Sequence, residues 1–472
     1  MVKKTIKQYC NFILAIFLVI TFTYCSQSDD KLTLATFSNG SVNFDEYLDH
    51  YLLSTQYKPD NFPTLDNLKE IVQNKALEKM SYTEAVELNI DQDSLYQKVL
   101  RNNERRLLYQ RYIQEQFTNK IITDSLIKKF YNEFTPQFKI KYIMRPFLRT
   151  SSNSFIESQQ QTINKAYAEL LKGKSFESVV EKYSQDIASN KKGGDIGWVI
   201  RESLGDEQLR LVMDTLSTQK FSKPFKGYGG FYIIYKGEKR DVKVPPFESV
   251  KNNIWKTLYR SRKAYIEDEV TIRFEELAPK YNFTELSENI SKIISKSASQ
   301  KNISDSTPLE FDKLNQEDKQ IKIASYNGGF ILVDDLFADS KKAPTNKSEF
   351  YIRLGSISQQ HIFAKHAKEI NIQNIPDLKN QIDLMKTSLL SSILYKKFVK
   401  DPTEEQLVSL KGNENFNIVK KRTEIEKKLR EEFEAKLNSK FNFQFVSSNF
   451  DEALKIAKEK KEEQNRLKQK VS

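Results

Sequence analysis

From Leu65 to Phe134 apolar residues return every three or four positions. Leu68, Ile71, Val72 and Leu77 open the series, and Leu95, Val99, Leu107, Leu108, Tyr112, Ile113 and Phe117 continue it. That spacing gathers them on one face of successive helices. Thr123-Asp124 supplies the cap of one more helix, which Thr135-Pro136 ends. Ahead of the helices, 32–37 and 42–44 read as strands joined at Asn39-Gly40, a pair suited to a tight hairpin, and Asp45-Glu46 then opens a helix. A different pattern follows. The run FKIKYIMRP at 138–146 is β-branched and aromatic and stops at a proline, as a strand does. Between Ile163 and Tyr183 the helical period returns through Ala166, Tyr167, Leu170, Leu171, Phe176, Val179 and Val180, with Gly173 dividing it into two helices. GYGGFYIIYKG at 227–237 reads as a closing strand, and after Pro245-Pro246 a long helix runs through Val250, Ile254, Leu258, Ala264, Ile266, Val270 and Phe274.

The second part of the chain echoes the first. Ala324-Ser325-Tyr326-Asn327-Gly328 follows 35–40, and Val333-Asp334-Asp335-Leu336 follows Phe44-Asp45-Glu46-Tyr47. AKEINI (367–372) follows AVELNI (85–90), ILYKKFV (393–399) follows LLYQRYI (107–113), TEEQL (403–407) follows TDSLI (123–127), and EAKLNSKFNF (434–443) follows EELAPKYNF (275–283). The constant order of the echoes indicates a duplicated helical unit with one copy interrupted. The expected fold is therefore α+β, a mainly helical bundle present twice, with an inserted domain of small antiparallel sheet surrounded by helices. The expected divisions are a leader at 1–25, a hairpin and helical domain at 26–135, the insertion at 136–240 and a return helix at 244–283 that completes the first bundle. A Ser/Lys/Asn-rich linker at 284–320 with one short amphipathic helix at 290–294, a second bundle at 321–446 and a solvated charged tail at 447–472 complete the chain.

Composition narrows the classes. At 39% hydrophobic and 12% aromatic the 472 residues can build ordinary cores. The 75 basic and 63 acidic residues leave +12, but both signs interleave throughout, so a solvated lysine-rich surface is expected and a nucleic-acid site is not. Lys3, Lys4 and Lys7 precede an apolar run at 12–22 too short to span a bilayer, and Cys25 follows. That order resembles a bacterial lipoprotein signal and implies acylation of Cys25, a membrane tether and an extracytoplasmic location, periplasm or cell envelope. Cys10 lies within the leader, so Cys25 would be the mature chain's only cysteine and an internal disulfide is excluded. His361 and His366 stand five apart, off one helical face, which speaks for structural histidines and against a metal pair. No cofactor is expected.

The inserted segment resembles the parvulin (PpiC-type) peptidyl-prolyl isomerase family. Its landmarks occur in order: Tyr142-Ile143-Met144 in the first strand, Tyr183-Ser184-Gln185-Asp186 after the helices, GGDIGW at 193–198, Leu216 and then Ser222-Lys223-Pro224-Phe225, and Gly230-Phe231-Tyr232-Ile233-Ile234. The resemblance implies that Asp186 holds the family's Asp/Cys position and that Leu204, Leu209 and Met213 line the proline pocket. It also puts Tyr142 and Tyr232 where the family has its two active-site histidines. The bundle around the insertion resembles the chaperone domain of the SurA and PrsA class of extracytoplasmic foldases. The implied function is an exported folding factor that holds unfolded or proline-containing polypeptides, with a parvulin-type isomerase domain that is either active through its tyrosines or inactive because tyrosines stand at both histidine positions. The alternative is a non-catalytic docking subunit of an envelope assembly.

Overall fold

The computed structural model describes residues 32–337, 343–409 and 418–469. The leader at 1–25 and Cys25 lie outside the described residues. Strands β1 (Thr33–Phe37) and β2 (Gly40–Asn43) form the first hairpin, with Asn39 at a φ of 66° in its turn. Asn43 caps α1 (Phe44–Ser54) by a reciprocal pair of hydrogen bonds with Glu46. Helices α2 (Leu65–Glu87), α3 (Ser94–Ile113) and α4 (Asp124–Asn132) follow, and a π-helical turn at Gln114–Thr118 extends α3.

The insertion contributes β3 (Gln137–Pro146), α5 (Asn153–Leu171), α6 (Phe176–Tyr183), β4 (Asp195–Val199), α7 (Glu207–Thr215), β5 (Lys220–Phe221), β6 (Phe225–Lys226) and β7 (Gly230–Arg240). The long helix α8 (Phe247–Lys280) leads to β8 (Thr284–Glu285), α9 (Ser287–Ser297) and the second hairpin, β9 (Lys322–Tyr326) with β10 (Gly329–Leu332). Then come α10 (Lys347–Glu369), α11 (Pro376–Tyr395) with its own π turn at Lys396–Lys400, α12 (Asp401–Ser409), α13 (Ile418–Lys440), β11 (Gln444–Phe445) and α14 (Phe450–Gln469).

The repeat is visible element by element. α2 and α10 are both 23 residues long, each ends in a left-handed asparagine (Asn89, Asn371), and α3 and α11 both pass into a π turn. Left-handed asparagines likewise follow the two return helices, at Asn282 and Asn442. The π turns place 393–399 opposite 111–117, one helical turn away from the expected match to 107–113.

The bundles do not close on themselves as expected. One compact unit holds the described residues up to Gln97 together with those from Met385 onward, and the other holds Lys98–Leu384. In the first unit β1 pairs with β11 of the second repeat, Ala35 opposite Phe445, and Lys440 of α13 pairs with Glu84 and Glu87 of α2, the latter at 2.6 Å. In the second unit β8 of the first repeat pairs with β9 of the second, and Lys280 of α8 meets Glu369 of α10 at 3.2 Å. Each return helix has therefore exchanged its partner for the other repeat's. Two copies of one sequence offer equivalent edges, so local pattern alone does not choose between them.

Two further expectations are corrected. The stretch 284–320 is not a linker: Ile290, Ile293, Ile294, Leu309, Phe311 and Leu314 are buried with Ile323, Ile331 and Phe350 in one core. Nor is the end of the chain a solvated tail. Ala453 and Ala457 of α14 are fully buried, and so is Lys461, whose Nζ donates at 2.7 Å to the carbonyl oxygen of Thr55, the cap of α1. A fully buried lysine satisfied by a helix end is invisible to a hydropathy pattern.

Candidate active site

The site lies in the inserted domain, within the second unit. Its sheet runs β4-β3-β7-β5, with β6 also on β7. Antiparallel register sets Tyr142 opposite Ile234 and Met144 opposite Tyr232. Strand alternation then divides the side chains between two faces. On one face, Ile143, Phe231 and Ile233 pack with Ile163, Ala166, Leu170, Val179 and Val180 of α5 and α6. On the other, Tyr142 and Tyr232 are diagonal neighbours with ring centroids 5.9 Å apart at 89°.

Asp186 completes the group. Main-chain bonds from Gln185 to Met144 (2.9 Å) and from Met144 to the Ser184 hydroxyl (3.2 Å) tie the segment after α6 to β3. The Tyr142 hydroxyl then donates to Asp186 Oδ2 at 3.0 Å, and the Ser189 hydroxyl donates to the same oxygen. The turn of GGDIGW holds the other side: the Tyr142 amide donates to the Gly194 carbonyl at 3.0 Å. Gly194 has a φ of +80°, and a Cβ there would run into the Tyr142 carbonyl oxygen, so only glycine fits. The structure thus brings together the three residues Asp186, Tyr142 and Tyr232 that sequence reasoning had named.

Electrostatics keep both phenols protonated. Burial, and next the Asp186 charge, push Tyr142 well above the ordinary tyrosine range, and burial with the Asp206 and Asp186 charges does the same to Tyr232. Tyr142 spends its proton on Asp186. The Tyr232 hydroxyl makes no side-chain hydrogen bond among the described residues.

Leu204, Leu209 and Met213 join Ile140, Tyr232 and Ile234 in a single buried cluster. Each of the three is less than a tenth exposed, at 7%, 8% and 3%. Met213 also lines a cleft of about 390 Å³ with Phe138 and the buried Lys236, whose Nζ donates to the Met213 carbonyl at 2.7 Å. Sequence reasoning missed Ser189 and Phe225. The first sits three residues after Asp186, the spacing of a local side-chain turn, and the ring of the second stacks on Tyr232 at 5.9 Å. Two of the chain's three histidines, His361 and His366, lie elsewhere in this unit, and His50 lies in the other. His361 is buried with Nδ1 2.9 Å from the Tyr326 hydroxyl, and burial pushes it down to about 3; the Tyr281 hydroxyl lies 2.8 Å from His366 Nδ1 and donates to Glu369.

Comparison with known proteins finds relatives of the inserted domain. The family described as the PPIC-type PPIASE domain, or rotamase, matches residues 143–238. The foldase protein PrsA of Caldanaerobacter subterraneus subsp. tengcongensis is 27% identical over 184 residues, 39% of this chain and 55% of that protein. Foldase protein PrsA 1 of Bacillus cereus is 30% identical over 149 residues, 32% of this chain and 46% of that protein. The chain thus spans about half the length of these curated relatives. A crystal structure of the peptidylprolyl isomerase PrsA from Bacillus anthracis covers 49% of this chain and 89% of its own at 20% identity, with a TM-score of 0.25. Residues 143–238 are a PpiC-type parvulin domain, carried inside the first of two helical repeats.

Proposed function

We propose that the protein is an extracytoplasmic foldase, in which helical repeats hold unfolded polypeptide clients and the parvulin domain acts on their prolyl bonds through Tyr232. The observation that carries the catalytic part is the Asp186–Tyr142–Tyr232 group. Prolyl isomerisation has no covalent step; its barrier of ~18–20 kcal/mol falls when the amide twists and its nitrogen accepts a hydrogen bond. A neutral phenol supplies that bond. It does not shuttle protons near neutrality as an imidazole does.

Protease-coupled turnover of a prolyl peptide by the full chain tests this. The expected acceleration is flat from about pH 6 to 9, because neither phenol titrates there. Tyr232→Phe should lower it roughly tenfold, the worth of one lost hydrogen bond, and Asp186→Ala should lower it by releasing Tyr142. A rate equal to that of the uncatalysed peptide would remove the isomerase and favour a docking domain. The burial of Leu204, Leu209 and Met213 is the observation that speaks for that second reading. Acyl chains on Cys25 would tether the protein to an envelope membrane. Metabolic labelling with a fatty-acid analogue should mark the protein and fail to mark Cys25→Ala; equal labelling of the two would overturn the anchor.

A further inference from the structure

The two repeats differ where the first long helix of each meets its neighbours. In the second unit Phe363 of α10 is the centre of an aromatic stack, with ring centroids of Tyr112 at 5.0 Å, Tyr109 at 6.1 Å, Phe274 at 6.3 Å and Phe117 at 6.5 Å. The paired π turns and the paired asparagine turns assign the corresponding places of the first unit. They are Ser81 for Phe363, Leu394 for Tyr112, Ser391 for Tyr109, Glu434 for Phe274 and Val399 for Phe117. Every ring has become a smaller or polar group. The lost volume is open in the first unit as a cleft of about 390 Å³ among α2, α11 and α13.

The lining says what kind of group fits. An apolar void of this size would be costly, whereas a polar one takes water or a polar ligand. Ser81 is only 4% exposed and faces the cleft, yet its hydroxyl has no hydrogen-bond partner among the described residues. Two carboxylates reach the cleft from different helices. Glu78 accepts from the Ser388 hydroxyl at 2.5 Å and stands 3.4 Å from Lys75; Glu434 stands 3.7 Å from Arg430, and burial raises its carboxyl above the usual range. Both ion pairs are longer than a charge-assisted hydrogen bond and leave acceptor capacity. Lys400 lies over the Tyr395 ring, 6.0 Å from its centroid, and in no ion pair with either carboxylate. Serine hydroxyls and carboxylates together solvate a group that only donates, which is an ammonium or guanidinium.

We propose that this cleft binds the cationic head of a lysine or arginine side chain in an extended polypeptide client. The proposal rests on the client-holding reading above. It is tested on the full chain by fluorescence anisotropy, with a labelled unstructured peptide carrying one central lysine and a twin carrying norleucine. The lysine peptide should bind about tenfold tighter. Glu434→Gln should erase that preference, and so should Ser81→Phe, which restores the ring present at Phe363. Should Ser81→Phe fail to fold, Glu434→Gln decides alone. Equal binding of the twins, or a preference that survives Glu434→Gln, overturns the site and leaves client holding intact. If neither peptide binds, butylammonium is the probe: NMR shifts at the cleft that Glu434→Gln abolishes keep the site and remove the client reading, and no shifts overturn the site.

Discussion

Glu202→Ala should destabilise the second unit by about 3–5 kcal/mol, the cost of removing one partner from a buried ion pair. Glu202 sits on the single turn between β4 and α7 and is 2% exposed. Lys129 of α4 reaches it at 2.9 Å, Arg201 pairs with it, and Arg262 of α8 lies 3.5 Å away while also donating at 3.2 Å to its main-chain carbonyl. The same loop brings Gly205 so close to α8 that a Cβ would strike the Ser261 carbonyl. One buried carboxylate thus ties the parvulin domain to helices of the first repeat, beside the more exposed contacts of Tyr228 with Asp268 and Arg149 with Glu275 on α8. Without it the Arg262 guanidinium, 7% exposed, is left in the interior beside the Arg210 charge. Urea unfolding followed by hydrogen exchange on α4, α7 and α8 reads the loss, and a change below about 1 kcal/mol would show that the network does not seat the domain.

The same carboxylate has a pH signature. Burial opposes ionisation of Glu202, but Lys129 and Arg201 outweigh it and hold the group below the ordinary glutamate range. A depressed carboxylate contributes its full stabilisation above its unfolded pKa of about 4.3 and loses it as pH falls through the folded value. Stability of the unaltered chain should therefore drop below about pH 4.5 more steeply than that of Glu202→Gln. Parallel slopes for the two proteins would contradict the assignment.

Periodicity and turn chemistry carried the local structure of this chain a long way. Strand alternation in FKIKYIMRP and GYGGFYIIYKG is enough to put Tyr142 and Tyr232 on one face, and the glycines of GGDIGW mark the turn that packs against Tyr142. What was not legible depends on partners remote in sequence. Serine and lysine in 284–320 suggest a linker, yet its three isoleucines at helical spacing are core because β9 and α10 cover them. The echo of 393–399 was misplaced by one turn because a helical pattern repeats itself at that shift. The exchange of return strands between repeats is likewise silent in either copy, since Phe443 and Phe283 present alike edges. Lys461 reads as surface charge until the end of α1 is seen to receive it.

Divergence between the repeats can be measured directly. Phe363→Ala should cost the second unit about 3–5 kcal/mol, the price of emptying a fully buried aromatic position. The ring touches side chains from α3, the π turn after it and α8, so its removal strands Tyr109, Tyr112, Phe117 and Phe274 around one cavity. Because a chain of two units need not unfold in a single step, hydrogen exchange on α3, α8 and α10 is the proper readout. At the corresponding place in the first unit, Ser81→Ala removes one hydroxyl beside an existing cleft and should change stability by no more than about 0.5 kcal/mol. Similar losses at the two positions would mean that the cleft is packed as the aromatic stack is, and the asymmetry would vanish. The expected contrast follows from where the inserted domain sits. The return helix that carries it, α8, needs a rigid aromatic seat, whereas α13 carries no insertion and its contact with α2 is free to open into a polar recess.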